Sequence, residues 1–237
     1  MSEWKARRFW KEVAIREAEG GWEIALDGRS LRTPNKQPLI LPTVALAEAI
    51  AAEWDAQQDL VTPQTMPLTR AANSAVEKVT PQRNEVVAML ADYGGTDLLC
   101  YRAEAPAELV ARQAAEWNPL LDWSAETFGA RLIDTVGVIP VAQDPAALAQ
   151  LRAALEALDI YGLTAAHDLV TLPGSLVLGL AVVHGRLPAD EAHRLSRLDE
   201  DFQAERWGAD EEAQEAAEAR LAALRVAARL WDLSRPG

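Results

Sequence analysis

The 237-residue chain is poor in the side chains that most often announce a chemistry. Cys100 is its only cysteine, which excludes an internal disulfide and a thiolate metal cluster. It sits in the apolar run Leu98, Leu99, Cys100, Tyr101 and is expected to be a small buried hydrophobe. There are three histidines, His167, His184 and His193, and no HExxH or comparable ligand spacing. Phosphate loops of the GxxxxGK[ST] or GxGxxG type are missing, so nucleotide binding through a familiar loop is not expected. No cofactor and no metal are implied. The longest apolar stretch, Leu169 to Val183, is interrupted by Pro173, Gly174 and Gly179. It falls short of the roughly 20 residues that a membrane-spanning helix needs. The opening MSEWKARRFWKEV has neither the apolar segment of a signal peptide nor the serine enrichment of a transit peptide. A cytoplasmic protein without membrane insertion is the expectation.

Lysines are absent after Lys78, and acids outnumber bases overall, giving a net charge of −13. Such a balance makes nucleic acid an unsuitable ligand, because phosphate backbones are gripped by Lys and Arg patches. The imbalance is local. Residues 1–42 hold eight basic and six acidic side chains, whereas the remainder holds fifteen and thirty. With 49% hydrophobic residues the chain has enough apolar material for a core, which argues against disorder.

The first forty residues alternate like strands. Val13 to Arg16, Trp22 to Leu26 and Ser30 to Arg32 are separated by Gly20-Gly21 and Asp27-Gly28, the latter a type I′ hairpin signal. Leu39 to Leu41, between Pro38 and Pro42, suits an edge strand or a strand end. From Thr43, a plausible N-cap, the pattern turns helical, with Leu46, Ile50 and Trp54 on one face. Helices are then expected near Leu68 to Val79, from Thr80-Pro81 to Gly94, from Pro106 to Trp117, and from Asn118-Pro119 to Gly129. Arg131 to Pro140 suits an extended segment, and Asp144-Pro145 opens a helix carrying Leu148, Leu151, Leu155 and Leu158. Thr164 to His184 is apolar nearly all round, a central helix that Pro173-Gly174 should kink or split. Pro188 to Trp207 and Asp210 to Trp231 complete the series. The fold class is α+β: a small N-terminal α/β domain with an antiparallel meander, residues 1–62, then a larger helical domain, residues 63–237.

Ser175 lies near His167, Asp168 and His184 in sequence, but its setting lacks the GxSxG elbow that exposes a nucleophile. A small residue at a helix start explains it better. A hydrolase or metalloenzyme using His167, His184 or His193 is the alternative class of function. His167-Asp168 suits a local hydrogen-bonded pair. Eight tryptophans stand against three Phe and three Tyr. Most of the eight (Trp4, Trp10, Trp22, Trp54, Trp117, Trp123, Trp207, Trp231) are expected in the core, with Trp54 on the apolar face of its helix, and Trp207 is either core packing or an interface anchor.

Residues 196–218 are the most distinctive. Asp199, Glu200, Asp201, Glu205, Asp210, Glu211, Glu212, Glu215 and Glu218 make nine acids. At 3.6 residues per turn, Leu195, Leu198 and Phe202 share one stripe, and Arg194, Arg197, Asp201 and Glu205 the opposite one. Solvation and partner binding explain such a face about equally well.

Several strings together resemble a known family: RFWKEV (Arg8 to Val13), LDGRSLRTP, EWDAQ (Glu53 to Gln57), MPLTRAANSA, YGGTDLLCYRA (Tyr93 to Ala103), NPLLDW, LPGSLVLGLAV (Leu172 to Val182) and SRLDEDFQAERWG. In this order they resemble the assembly-chaperone family for the α subunit of the F-type ATP synthase catalytic head. The resemblance implies a non-enzymatic protein that binds the free α subunit, prevents its self-association and is released when the β subunit enters. It also implies a small α/β domain followed by an orthogonal helical bundle. Functional weight would fall on the acidic helix, with Glu200, Asp201, Glu205 and Trp207 as candidate partner-binding residues. Pro173 stands where this resemblance leads one to expect a more helix-compatible residue.

Overall fold

The computed structural model describes residues 7–236, so Trp4 lies outside the described residues. They form an α+β fold, a small antiparallel sheet followed by a helical bundle. The chain packs as two compact units. The first runs to Arg83 and also includes Ile160–Thr164 and the segment from Arg229 on. The second comprises Asn84–Asp159 and Ala165–Ala228. The division therefore falls after Arg83, and two later segments return to the first unit.

In the first unit, β1 (Val13–Ala18), β2 (Gly21–Leu26) and β3 (Arg29–Ser30) form an antiparallel meander with Ile15 opposite Ile24. The β2–β3 turn has φ of 46° at Asp27 and 80° at Gly28, the doubly left-handed turn expected of this dipeptide. The Asp27 carboxylate accepts 2.9 Å hydrogen bonds from the amides of Glu12 and Lys11, which hold its pKa below the usual carboxylate range. Leu41 makes a single bridge to Trp22 and the segment forms no full strand, consistent with a proline on either side. Helix α1 (Val44–Asp55) is capped by Thr43, whose hydroxyl accepts from the Leu46 amide at 3.1 Å. It lays Leu46, Ala47 and Ile50, all fully buried, against the meander. Trp10 meets Trp54 edge-on at 5.1 Å, so Trp54 supports the fold.

The EWDAQ string is a structural clasp. Glu53 accepts from the amides of Leu68 and Thr69, both at 2.8 Å, and from the Thr69 hydroxyl at 2.7 Å. It thereby satisfies the open first turn of α2 (Pro67–Ser74), where anions are favoured. Gln57 ties the intervening connection through Thr62, Thr65 and the Glu53 carbonyl. Glu53→Ala is expected to destabilise the fold by about 1–2 kcal/mol, as loss of a cap does. A shift of the urea midpoint without a change of slope would show it.

Helix α2 continues as a π-helical turn, Ala75–Val79. Thr80 was expected as an N-cap. It instead donates its hydroxyl back to the Ala75 carbonyl at 2.8 Å, and α3 starts later, at Arg83–Asp92. A short 3-10 turn at Tyr93–Thr96 follows.

In the second unit, the two helices expected on either side of Asn118 are one helix, α4 (Ala107–Phe128), with Pro119 inside it. A proline removes one backbone donor and strains the preceding turn. Here the buried face of Trp117, Leu120, Leu121 and Ser124 keeps the helix continuous, and Gly129 at φ 69° ends it. Two-residue strands β4 (Tyr101–Arg102) and β5 (Thr135–Val136) pair in parallel. Asp144 caps α5 (Pro145–Glu156) as expected. The apolar segment is split, as expected, into α6 (Ile160–Thr171) and α7 (Leu176–Val183), with Gly174 at φ 72° between them. Gly179 lets the two approach closely, because a Cβ there would collide with the Val170 side chain. Helices α8 (Ala189–Ser196), α9 (Leu198–Trp207) and α10 (Glu211–Ser234) follow. Among the described residues, no helix is long and apolar enough to cross a membrane.

Candidate functional site

The single helix expected from Pro188 to Trp207 is two, α8 and α9, broken at Arg197. The fully buried Trp117 donates its indole N–H to the Leu195 carbonyl at 3.0 Å. That carbonyl would otherwise receive the Asp199 amide in a continuous helix. The break resets the face that α9 presents, and Leu198 and Phe202 become its buried anchors.

Helix α9 is strapped to α4. The Arg112 guanidinium donates to both carboxylate oxygens of Glu205 at 2.8 and 2.9 Å, the two-pronged geometry that favours Arg over Lys. These bonds hold the Glu205 pKa below the usual range. Arg206 pairs with Glu108, and Arg194 of α8 reaches Glu116 at 2.7 Å. Glu108, Arg112 and Glu116 form one stripe of α4 at four-residue spacing. They meet Arg206, Glu205 and Arg194 with opposite charge at every rung. The guanidiniums of Arg112 and Arg206 also lie over the Phe202 ring, at 5.2 and 4.5 Å. The α4 stripe was missed from the sequence, although its alternating signs at i, i+4 and i+8 were legible.

The candidate acids are therefore not bare charges. Arg197 bridges Glu200 at 2.9 Å and Asp201 at 3.1 Å. Asp199 accepts from the buried Gln113 amide at 2.6 Å. Bare charge begins one element later. Asp210 accepts from the Ala213 amide at the start of α10. Among the described residues Glu211, Glu212, Glu215 and Glu218 stand exposed with no ion pair. Between the two elements, the Trp207 side chain is 78% exposed, beside Gly208 at φ 92°. The core reading of Trp207 is thus corrected. Helix α9 ends there, and no packed layer covers the indole. Of the other described tryptophans, Trp10 and Trp117 are buried and the rest are half-buried.

The histidines are engaged singly. His167 pairs with its neighbour Asp168 at 2.8 Å, which raises its pKa. His184 ends α7 and packs edge-on to Phe128 at 5.1 Å. His193 is pushed down chiefly by burial and then by the charge of Arg197. Ser175, fully buried, accepts from the Leu178 amide at 3.0 Å as the N-cap of α7. Among the described residues, no three His, Cys, Asp or Glu side chains are grouped so as to hold a metal ion.

The YGGTD and LPGS strings meet at a buried carboxylate. Asp97, fully buried, accepts from the amides of Leu99 and Val177, both at 3.0 Å, and from Ser175 and the Leu176 amide. Burial pushes its pKa up to about 6, against the pull of those donors. The Leu98 amide donates in turn to the Gly174 carbonyl at 3.1 Å. Pro173 and Gly174 make the turn that brings the first amides of α7 to Asp97, which accounts for a helix-breaking residue there. Cys100, beside this centre, has its thiol pushed up to about 12, by burial and then by the Asp97 charge. It is buried and inert.

Comparison with known proteins agrees with this layout. The family described as ATP12 chaperone protein matches residues 7–125. Atp12 from Paracoccus denitrificans, a crystal structure, superposes with a TM-score of 0.96 at 63% identity. The match covers 98% of this chain and 100% of that one. A mutant of the same P. denitrificans protein gives the same score and identity over 99% of this chain. The mitochondrial protein atp12 of Schizosaccharomyces pombe is 29% identical over 221 residues, covering 88% of this chain and 76% of its own length.

Proposed function

The chain belongs to the ATP12 chaperone family, and from that premise we propose that it binds the free α subunit of the F-type ATP synthase. It keeps that subunit from associating with itself until the β subunit enters, and in a bacterium it does so in the cytoplasm. The contact surface is the outer face of α9 and the start of α10. Trp207 is the apolar anchor, with Glu200, Asp201 and Glu205 beside it. One observation carries this reading most directly: an indole 78% exposed at the end of a helix that several ion pairs hold in place. A single exposed apolar side chain is ordinary on a surface, but Trp at the end of a packed helix is the residue type that most often anchors an interface. The unpaired carboxylates at the start of α10 select for a cationic rim and speed encounter more than they add affinity.

Charge reversal in this face tests the reading. Glu205→Lys sets an ammonium against Arg112, so a cationic rim on the α subunit is repelled and the α4–α9 strap is lost locally. Affinity for purified α subunit is expected to fall about tenfold, the scale of one mismatched charge at an interface. The melting temperature should barely move, because the pair is solvent-exposed. Asp201→Lys should act in the same direction. Unchanged affinity in both variants would contradict the assignment.

A further inference from the structure

Half of the large apolar side chains left exposed among the described residues fall within nine consecutive positions, Ile133 to Val141. Val138 and Ile139 at the tip are 86% and 77% exposed, and Val136 is 64% exposed. This segment is anchored. At its neck the buried Gln143 side chain accepts from the Ile133 amide at 2.7 Å and donates to the Ile133 carbonyl at 2.8 Å. Strand β5 pairs with β4, and the Gly137 amide donates to the Arg102 carbonyl at 2.8 Å. A loop held at its base with a bare apolar tip is a preformed knob.

We infer that this knob is a second, apolar part of the client-docking surface. It would enter an apolar recess bordered by lysine or arginine on the free ATP synthase α subunit. The inference rests on the function proposed above. Two observations choose the occupant. The second unit contains 24 acidic and 10 basic side chains, whereas the first unit is nearly balanced. A second copy of this chain would bring a like-charged face, and an anionic membrane would be repelled, but a cationic rim is complementary. The knob is also continuous with the acidic helix. Arg102 of β4, paired with Val136 of β5, lies 3.7 Å from Asp134 and donates to the Gln113 carbonyl. The Gln113 amide donates to Asp199 in the first turn of α9. Two buried side chains, Arg102 and Gln113, thus connect the base of the knob to the first turn of α9 within the same unit.

The test is binding of purified α subunit to the intact chain, measured by biolayer interferometry, with the oligomeric state followed by sedimentation. The double variant Val138→Asp, Ile139→Asp is expected to bind at least tenfold more weakly, with an unchanged melting temperature. The double variant Val138→Leu, Ile139→Leu should bind within about twofold of wild type, since it keeps apolar bulk. Wild-type binding together with equal binding by the aspartate variant overturns the knob and leaves the α9–α10 reading standing. Wild-type dimerisation that the aspartate variant abolishes, with α-subunit affinity intact, also overturns it, because the occupant is then a second copy. Failure of the wild type to bind α subunit removes both readings.

Discussion

Asp97→Ala is expected to melt about 8–15 °C below the wild type. The carboxylate is fully buried and receives the amides of Leu99, Val177 and Leu176 together with Ser175. Removing it leaves those donors inside the core with no acceptor, at about 1–3 kcal/mol for each group that finds no substitute. Partial relaxation brings the total to about 3–5 kcal/mol, since several neutral donors share the one lost acceptor. In a chain of this size each kcal/mol moves the midpoint by about 2–4 °C. Thermal denaturation followed by circular dichroism measures it, and a loss below 3 °C would contradict the role assigned to Asp97.

The same group gives a signed pH dependence. Its folded pKa of about 6 lies above the ordinary 3.8, so the folded state holds this proton more tightly than the unfolded chain does. The stability it contributes is full below about 3.8 and is lost as pH rises through 6. Asp97→Asn removes that slope. The wild type's advantage over the Asn variant should therefore be larger at pH 4.5 than at pH 7.5. An advantage that is flat or grows toward pH 7.5 would contradict the raised value.

Trp207→Ala carries the largest expected effect on binding. The indole makes no part of the core, so the melting temperature should stay within a degree or two of wild type. Affinity for the α subunit should fall about 10- to 100-fold, as truncation of an aromatic anchor typically does. The loss should appear mainly in the dissociation rate, because the acids that steer encounter remain. Trp207→Phe should recover most of the affinity. Full affinity in the alanine variant would place the anchor elsewhere.

Local signals were legible where one residue type decides the outcome alone. The Asp27-Gly28 turn, the Thr43 and Asp144 caps and the break at Pro173-Gly174 each follow from a single side chain or backbone preference. The errors lie where a distant partner decides. Nothing near Asn118 shows that α4 runs through Pro119, because the reason is the packing of Trp117 and Leu121. Nor does local sequence reveal that Trp117 takes the Leu195 carbonyl and divides the acidic helix. Asp201 and Glu205, one turn apart, read as mutually repelling until Arg197 and Arg112 are placed beside them. For Trp207 the local sequence leaves core packing and interface anchor both open, because burial is a property of neighbours.

Light scattering from ATP synthase α subunit diluted out of denaturant tests the central claim most directly, with and without this protein and without added nucleotide. The account predicts suppression of aggregation at near-stoichiometric ratio, reversed when β subunit is added. Undiminished scattering, with no α subunit co-purifying with the chain, would contradict it.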